Sequence, residues 1–117
     1  MALNNTAKNI GLDAIVAVIA YLSLHSDVVG SGNTNELTGG SPAYARKSIT
    51  WASASGGSVA LSNQPVFDVP AGATVARVGL QSASTAGTYY GDGEVTDEVF
   101  GGQGTYTVTA GTISITG

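Results

Sequence analysis

A chain of 117 residues with net charge −4, no cysteine, one histidine and 10% charged residues holds few of the titratable groups that a catalytic site gathers. It has no thiolate for a disulfide, a zinc site or redox chemistry. Its basic residues are Lys8, Arg46, Lys47 and Arg77; only Arg46 and Lys47 adjoin, too small a footprint for nucleic acid or an anionic membrane surface.

The remaining composition, 43% hydrophobic with 17 glycines, fits one domain over residues 1–117. It is expected to be mainly β, an antiparallel sandwich or barrel-like unit with one N-terminal α-helix, and no cofactor is expected. The helix is predicted over residues 3–18, with strands and loops over 20–117. Leu3, Ala7, Ile10, Ala14 and Val18 recur at helical spacing and form one apolar stripe, the expected core face. Asn4 or Asn5 supplies the capping oxygen, Lys8, Asn9 and Asp13 face solvent, and Gly11 marks a close approach of another backbone. The β-branched Ile15, Val16, Val18 and Ile19 weaken the helix end. The apolar run from Ala14 to Leu22 is too short to span a bilayer, and with Asp13 before it and no basic cluster it is not an export signal.

Leu22 and Leu24 alternate with Tyr21, Ser23 and His25, which predicts a short strand. Residues 27–44 form the one long irregular segment, and a loop of that length is usually functional. Past Ala45 the chain reads as short strands between turns. Ile49 and Trp51 share a strand face that ends at a Gly56-Gly57 hairpin. Val59 and Leu61 follow, then Val66 to Val69 and a Pro70-Ala71-Gly72-Ala73 turn. Thr74 to Ala83 and Thr88 to Tyr90 are strands, Gly91 to Glu94 opens an acidic turn, and Thr105 to Thr109 and Thr112 to Thr116 close the chain.

Four groups of residues carry chemistry in principle. His25, Ser26 and Asp27 are triad residue types, but adjacent strand residues point to opposite faces and no nucleophile elbow is present, so a satisfied strand-end histidine is expected. Asp92, Glu94, Asp97 and Glu98 form the densest charge cluster; their spacing fails the calcium-loop pattern, and a solvated acidic loop explains them. Trp51, Tyr89, Tyr90 and Tyr106 suit a sugar platform, though core packing explains them more simply. Gly101 to Gly104 precedes a strand rather than a helix, so it is a turn or bulge and not a phosphate loop. Arg46 and Lys47 either guard a strand edge or meet an acidic neighbour. Trp51, Phe67 and Val69 are the expected core.

Ala7-Lys8-Asn9, Leu12-Asp13-Ala14 and Leu22 to Ser26 resemble the opening of small virion structural proteins of tailed bacteriophages, usually labelled tail-fibre or minor tail proteins. So do Glu36 to Lys47 (with TGGSPAYARK as the most specific part), Val66 to Val75 and Phe100 to Val108. The sequence departs from that pattern at Gln81, where Trp is common, and in the acidic 92–98 segment. The resemblance implies a non-enzymatic virion component, an accessory domain on the particle exterior that docks on other virion proteins, as a homo-oligomer or in many copies. Capsid decoration is the alternative, and a host-glycan-binding module or a carboxylate-based glycan hydrolase are weaker rivals. Asn33, Asn35, Glu36, Leu37, Tyr44, Arg46 and Lys47 are the expected subunit contacts.

Overall fold

The computed structural model describes residues 1–30 and 32–116. Among these residues one helix, α1 (Asn5–Val16), precedes eight strands: β1 (Tyr21–His25), β2 (Lys47–Ser48), β3 (Ser58–Ala60), β4 (Val66–Val69), β5 (Thr74–Gln81), β6 (Tyr89–Val99), β7 (Gly104–Thr107) and β8 (Thr112–Ser114). All pairings are antiparallel. A four-stranded sheet runs β2-β1-β5-β6, and two ladders, β3-β8 and β4-β7, complete the domain. The mainly β, sandwich-like architecture with an N-terminal helix is therefore the one the sequence predicts.

Alternation explains where the core sits. Leu22 and Leu24 of β1 and Val75 of β5 meet Phe67 and Val69 of β4, with Ile19, Leu37, Ile49 and Val108 closing the cluster. Phe67, Val69 and Leu24 are fully buried, and Trp51 packs against the cluster while its indole N–H donates to the Ile19 carbonyl. Burying each such side chain is worth about 1.5–3 kcal/mol. Two turns match their sequence signals. Gly56 and Gly57 both take positive φ, and Ser55 and Ser58 exchange backbone hydrogen bonds across them. Gly72 has φ 81° and Ala73 N–H donates to the Pro70 carbonyl, a type II turn.

The helix departs from expectation in length and orientation. It covers residues 5–16 rather than 3–18, capped by Asn4, whose side-chain oxygen accepts from Ala7 N–H at 2.9 Å. Its buried residue is Leu12, whereas Leu3, Ile10 and Val18 of the presumed core stripe are exposed. Polar groups decide the orientation. Asn9 Oδ1 accepts from Gly57 N–H at 3.0 Å, and Asp13 Oδ1 accepts from Ala54 N–H at 2.9 Å. The hairpin before β3 has backbone donors to satisfy, and the two side chains expected in solvent satisfy them. Gly11 approaches the Ile115 side chain, not a backbone.

Three further corrections concern the strands. Residues 91–98 are not an acidic turn but the middle of β6, an eleven-residue strand at the sheet edge. Gly91 and Gly93 read as turn signals, yet they face Leu80 and Val78 of β5 in register. Arg77 on β5 lies opposite Glu94 and bonds Asp92 at 3.3 Å, so cross-strand charge pairing replaces a solvated loop. Tyr90 is exposed rather than core, while Tyr106 is half-buried against the cluster. The stretch from Ile49 to Ser55 is not a strand: pairing with β1 ends at Ser48, and Trp51 makes only an isolated bridge to Leu61.

Candidate functional site

The segment between β1 and β2 is irregular, as expected for residues 27–44, and its described residues, 26–30 and 32–46, are tied down at several points. Ser26 N–H donates to the Asn35 carbonyl at 2.9 Å and Leu37 N–H to the Leu24 carbonyl at 3.0 Å, so the loop returns to the strand it left. Its tip is tight: Thr34 donates to the Val29 carbonyl through both N–H and Oγ1, and Asn35 Nδ2 donates to the Val28 carbonyl. Asn33 and Asn35 sit at φ 54° and 63°, a left-handed conformation that asparagine tolerates better than most residues. At the far end the Ser41–Pro42 bond is cis. Gln103, from the β6–β7 turn, brackets it by accepting from Ser41 N–H and donating to the Pro42 carbonyl.

Beneath the loop lies a polar layer. Ser23, His25 and Gln81 are completely buried, on the face of β1 and β5 opposite the apolar core. His25 Nδ1 is 2.8 Å from the Thr34 carbonyl, which can only accept, so that nitrogen carries the proton. Nε2, 2.7 Å from Ser23 Oγ, therefore accepts. Ser23 Oγ accepts in turn from Gln81 Nε2, and Gln81 exchanges hydrogen bonds with the Asn33 side chain. Burial holds the His25 pKa below its ordinary value, with the Thr34 hydrogen bond opposing it only in part. A neutral, doubly bonded imidazole of this kind is a fastener, not a base facing a substrate. Gly79 lies under it because any Cβ there would overlap Ser23 Oγ and come 2.6 Å from His25 Nε2.

Glu36, Tyr44 and Arg46 form the second fastening. Arg46 Nε and Nη2 reach the two Glu36 oxygens at 2.9 Å each, a bidentate pair. Its Nη1 donates to the carbonyls of Ala83 and Ala86, in the β5–β6 turn, at 3.0 and 2.9 Å. The Arg46 side chain is only 6% exposed. Tyr44 Oη donates to Glu36 Oε2 and accepts from Leu24 N–H, and its ring stacks on Phe67. Burial pushes the Glu36 carboxyl up, but the hydrogen bonds from Arg46 and Tyr44 outweigh it and keep the group below the usual carboxylate range. Tyr44 moves upward, first by burial.

The seven residues expected as contacts thus divide. Glu36, Leu37, Tyr44 and Arg46 turn inward and build the loop; Asn33 is half-buried on Gln81. Asn35 is exposed, and Lys47 lies on the edge strand β2. Between them the loop shows Thr38, Gly39, Ser41, Pro42 and Ala43 to solvent, beside a shallow groove of about 330 Å³ shared with Ser84 and Thr85. Gln81, Ser23 and Gln103 were missed by sequence reading; a polar residue on an alternating strand gives no sign that its face will be covered.

A second cavity of about 280 Å³ opens on the other side of the main sheet, over Leu22, Val78 and Leu80 and beside Trp51. Gly93 is one of its lining residues, and nothing lies within 4 Å of a Cβ added there. No group of His, Cys, Asp and Glu side chains among the described residues is arranged to hold a metal ion, and none of their helices is long and apolar enough to cross a membrane.

Neither a curated protein nor a solved structure matches the chain. A family model does: the one described as Podophage GP4 fiber I protein gp80 matches residues 3–116, almost the whole length. On this match the chain, a sandwich-like β-domain, belongs to that family of podophage fibre proteins and is a structural, tail-fibre-like component of the phage virion.

Proposed function

We propose that this domain is a non-enzymatic accessory on the exterior of the phage tail, present as a homo-oligomer or in many copies. It docks on neighbouring virion proteins through the surface carried by residues 26–47. One observation carries this reading: the titratable side chains around the loop, His25, Glu36, Tyr44 and Arg46, are engaged in bonds that fix its shape. A loop held that rigidly loses little conformational freedom when a neighbour covers it, which favours docking. Asn35, Pro42 and Ala43 are exposed on this segment, and Lys47 is half-buried on the edge strand β2 beside it.

Lys47 provides the test. Intact virions and the isolated protein are treated with an amine acylating reagent, and modification at Lys47 is quantified by mass spectrometry. The expected result is strong protection of Lys47 in the virion, with cross-links from Lys47 to a tail protein. Equal labelling in both states would refute docking through this surface. Binding of the purified chain to tail-less heads would reassign it as a capsid decoration protein.

A further inference from the structure

We infer that β6 is the receiving edge for a strand of another protein, an extended basic segment that pairs with its free backbone and sets a large apolar side chain into the cavity beside it. β6 ends the main sheet, and at eleven residues it is the longest of the strands described. Only β5 pairs with it. In an antiparallel ladder alternate residues turn N–H and C=O away from the partner strand, and among the described residues no backbone hydrogen bond from another element meets those of β6. Protected edges are short, carry lysine or proline, or lie under a loop. The opposite edge of this sheet, β2, is two residues long, whereas β6 holds no proline and no lysine and exposes Tyr90 and Val99 near its ends. A register shift interrupts it beyond Glu94, but Gly91 to Glu94 pair with β5 without a break.

The cavity of about 280 Å³ lies along that same stretch. Gly93 and Val95 line it from β6, Val78 and Leu80 from β5, and Trp51 and Ile113 from outside the sheet. Its volume falls short of the roughly 300–1,000 Å³ of small-molecule sites and suits one large side chain. Gly93 is opposite Val78, and a Cβ built on it meets nothing within 4 Å. On an added strand, the residue opposite Gly93 projects to that same face, and a large apolar side chain there packs over the glycine. Strand pairing and cavity filling therefore act together at one stretch of β6.

Charge selects the occupant. β6 carries Asp92, Glu94, Asp97 and Glu98 against one guanidinium, that of Arg77, which reaches Asp92 at 3.3 Å and Glu94 at 4.0 Å. Among the described residues no salt bridge reaches Asp97 or Glu98. A basic strand meets complementary charge along this edge. A second copy of the chain does not. Pairing β6 with β6 sets carboxylates against carboxylates, and of the four basic residues Arg46 is held by Glu36 and Arg77 by β6 itself. The occupant is therefore a different polypeptide, and this surface is separate from the 26–47 surface proposed above.

The probe is a capped peptide as long as β6 that alternates Lys with Val and has Phe at its centre; two companions replace Phe with Ala, or every Lys with Glu. Trp51, the one tryptophan, reports on the cavity by its fluorescence, and hydrogen exchange of the purified full-length chain reports on the β6 amides. The expected result is saturable binding of the Lys peptide that slows exchange in β6, shifts Trp51 emission and weakens with added salt. Asp97→Lys combined with Glu98→Lys should weaken it at least tenfold while the circular dichroism spectrum is kept, because both side chains are exposed. Gly93→Leu, which fills the opening, should bring the Phe peptide down to the affinity of the Ala peptide. An unchanged exchange rate in β6 with the Lys peptide, or equal binding of the Glu peptide, would overturn the inference. So would slowed exchange in β6 on raising the chain's own concentration without peptide, since a second copy would then be the occupant.

Discussion

Arg46 offers the sharpest test of whether the 26–46 loop is held by the bonds described. Replacing it with Ala removes two hydrogen bonds to Glu36 and two to the β5–β6 turn, and it leaves the Glu36 carboxylate supported by Tyr44 alone. Exposed ion pairs contribute about 0.2–1 kcal/mol, whereas breaking a buried one costs about 3–5 kcal/mol. With side-chain exposures of 6% for Arg46 and 21% for Glu36, this pair lies near the buried limit. A loss of about 3 kcal/mol is expected. That is a large share of a stability on the order of 5–15 kcal/mol, but the chain should still fold. In urea, with a slope of roughly 1–2 kcal/mol per molar, the unfolding midpoint should fall by about 2 M. The melting temperature should drop by on the order of 10 °C.

Arg46→Lys retains the charge but not the planar fork, and one ammonium cannot serve Glu36 and both turn carbonyls together. It should lose about 2 kcal/mol, most of the alanine effect. Acid supplies an internal check. The pKa of Glu36 is lowered in the folded chain, so its contribution is complete above the ordinary value of 4.5 and disappears as pH falls through the folded value. The gap between wild type and Arg46→Ala should therefore narrow on acidification below that point. A cost under about 1 kcal/mol, or one that vanishes in high salt, would place the pair among ordinary screened surface contacts and refute the argument.

Three other outcomes follow from the same structure. Gly79→Ala should destabilise by about 2–4 kcal/mol although its backbone is unstrained, because the new methyl group displaces the Ser23–His25–Gln81 network; thermal unfolding reads the loss, and a neutral effect would mean that the layer has slack. His25 is favoured neutral in the fold, so stability should be full above its ordinary value of 6.5 and decline as pH falls below it; an imidazole NMR titration midpoint at or above 6.5 would contradict the buried assignment. On β6, Gly93→Thr should be neutral or stabilise by up to about 1 kcal/mol, since nothing lies within 4 Å of its added Cβ, whereas Gly91→Thr, at φ 153°, should destabilise; equal effects in urea titrations would remove the distinction.

How much of this was legible in the sequence depended on whether the deciding interaction was local. The Asn4 cap, the Gly56-Gly57 hairpin and the Pro70–Gly72 turn are set by residues within four positions of one another, and each formed as predicted. Strand β1 was also legible, through the alternation of Leu22 and Leu24. The helix face was not. Its apolar spacing pointed to one side, but the backbone donors of a hairpin more than forty residues away captured Asn9 and Asp13 and turned the helix the other way. The acidic segment failed for a related reason: its glycines look like turn signals until β5 lies alongside and Arg77 draws Asp92 into a cross-strand pair. Within the candidate site, Glu36, Tyr44 and Arg46 stand out by their place in or beside the long irregular segment, where they are expected to face neighbouring subunits. Their inward orientation depends on the 83–86 turn, about forty residues further along, and no local pattern encodes it.

The same distinction bears on function. The docking proposed above depends on the loop keeping one shape. Here the histidine has both ring nitrogens engaged, Glu36 is clamped by a guanidinium and a phenol, and no buried side-chain nitrogen or oxygen among the described residues lacks a partner. Satisfaction of that kind fixes the shape of the loop. Polar residues so placed determine which arrangement of the loop exists, while apolar burial supplies most of the stability. The His25 layer and the Arg46 clamp, on opposite ends of one loop, are the two devices that fix that arrangement.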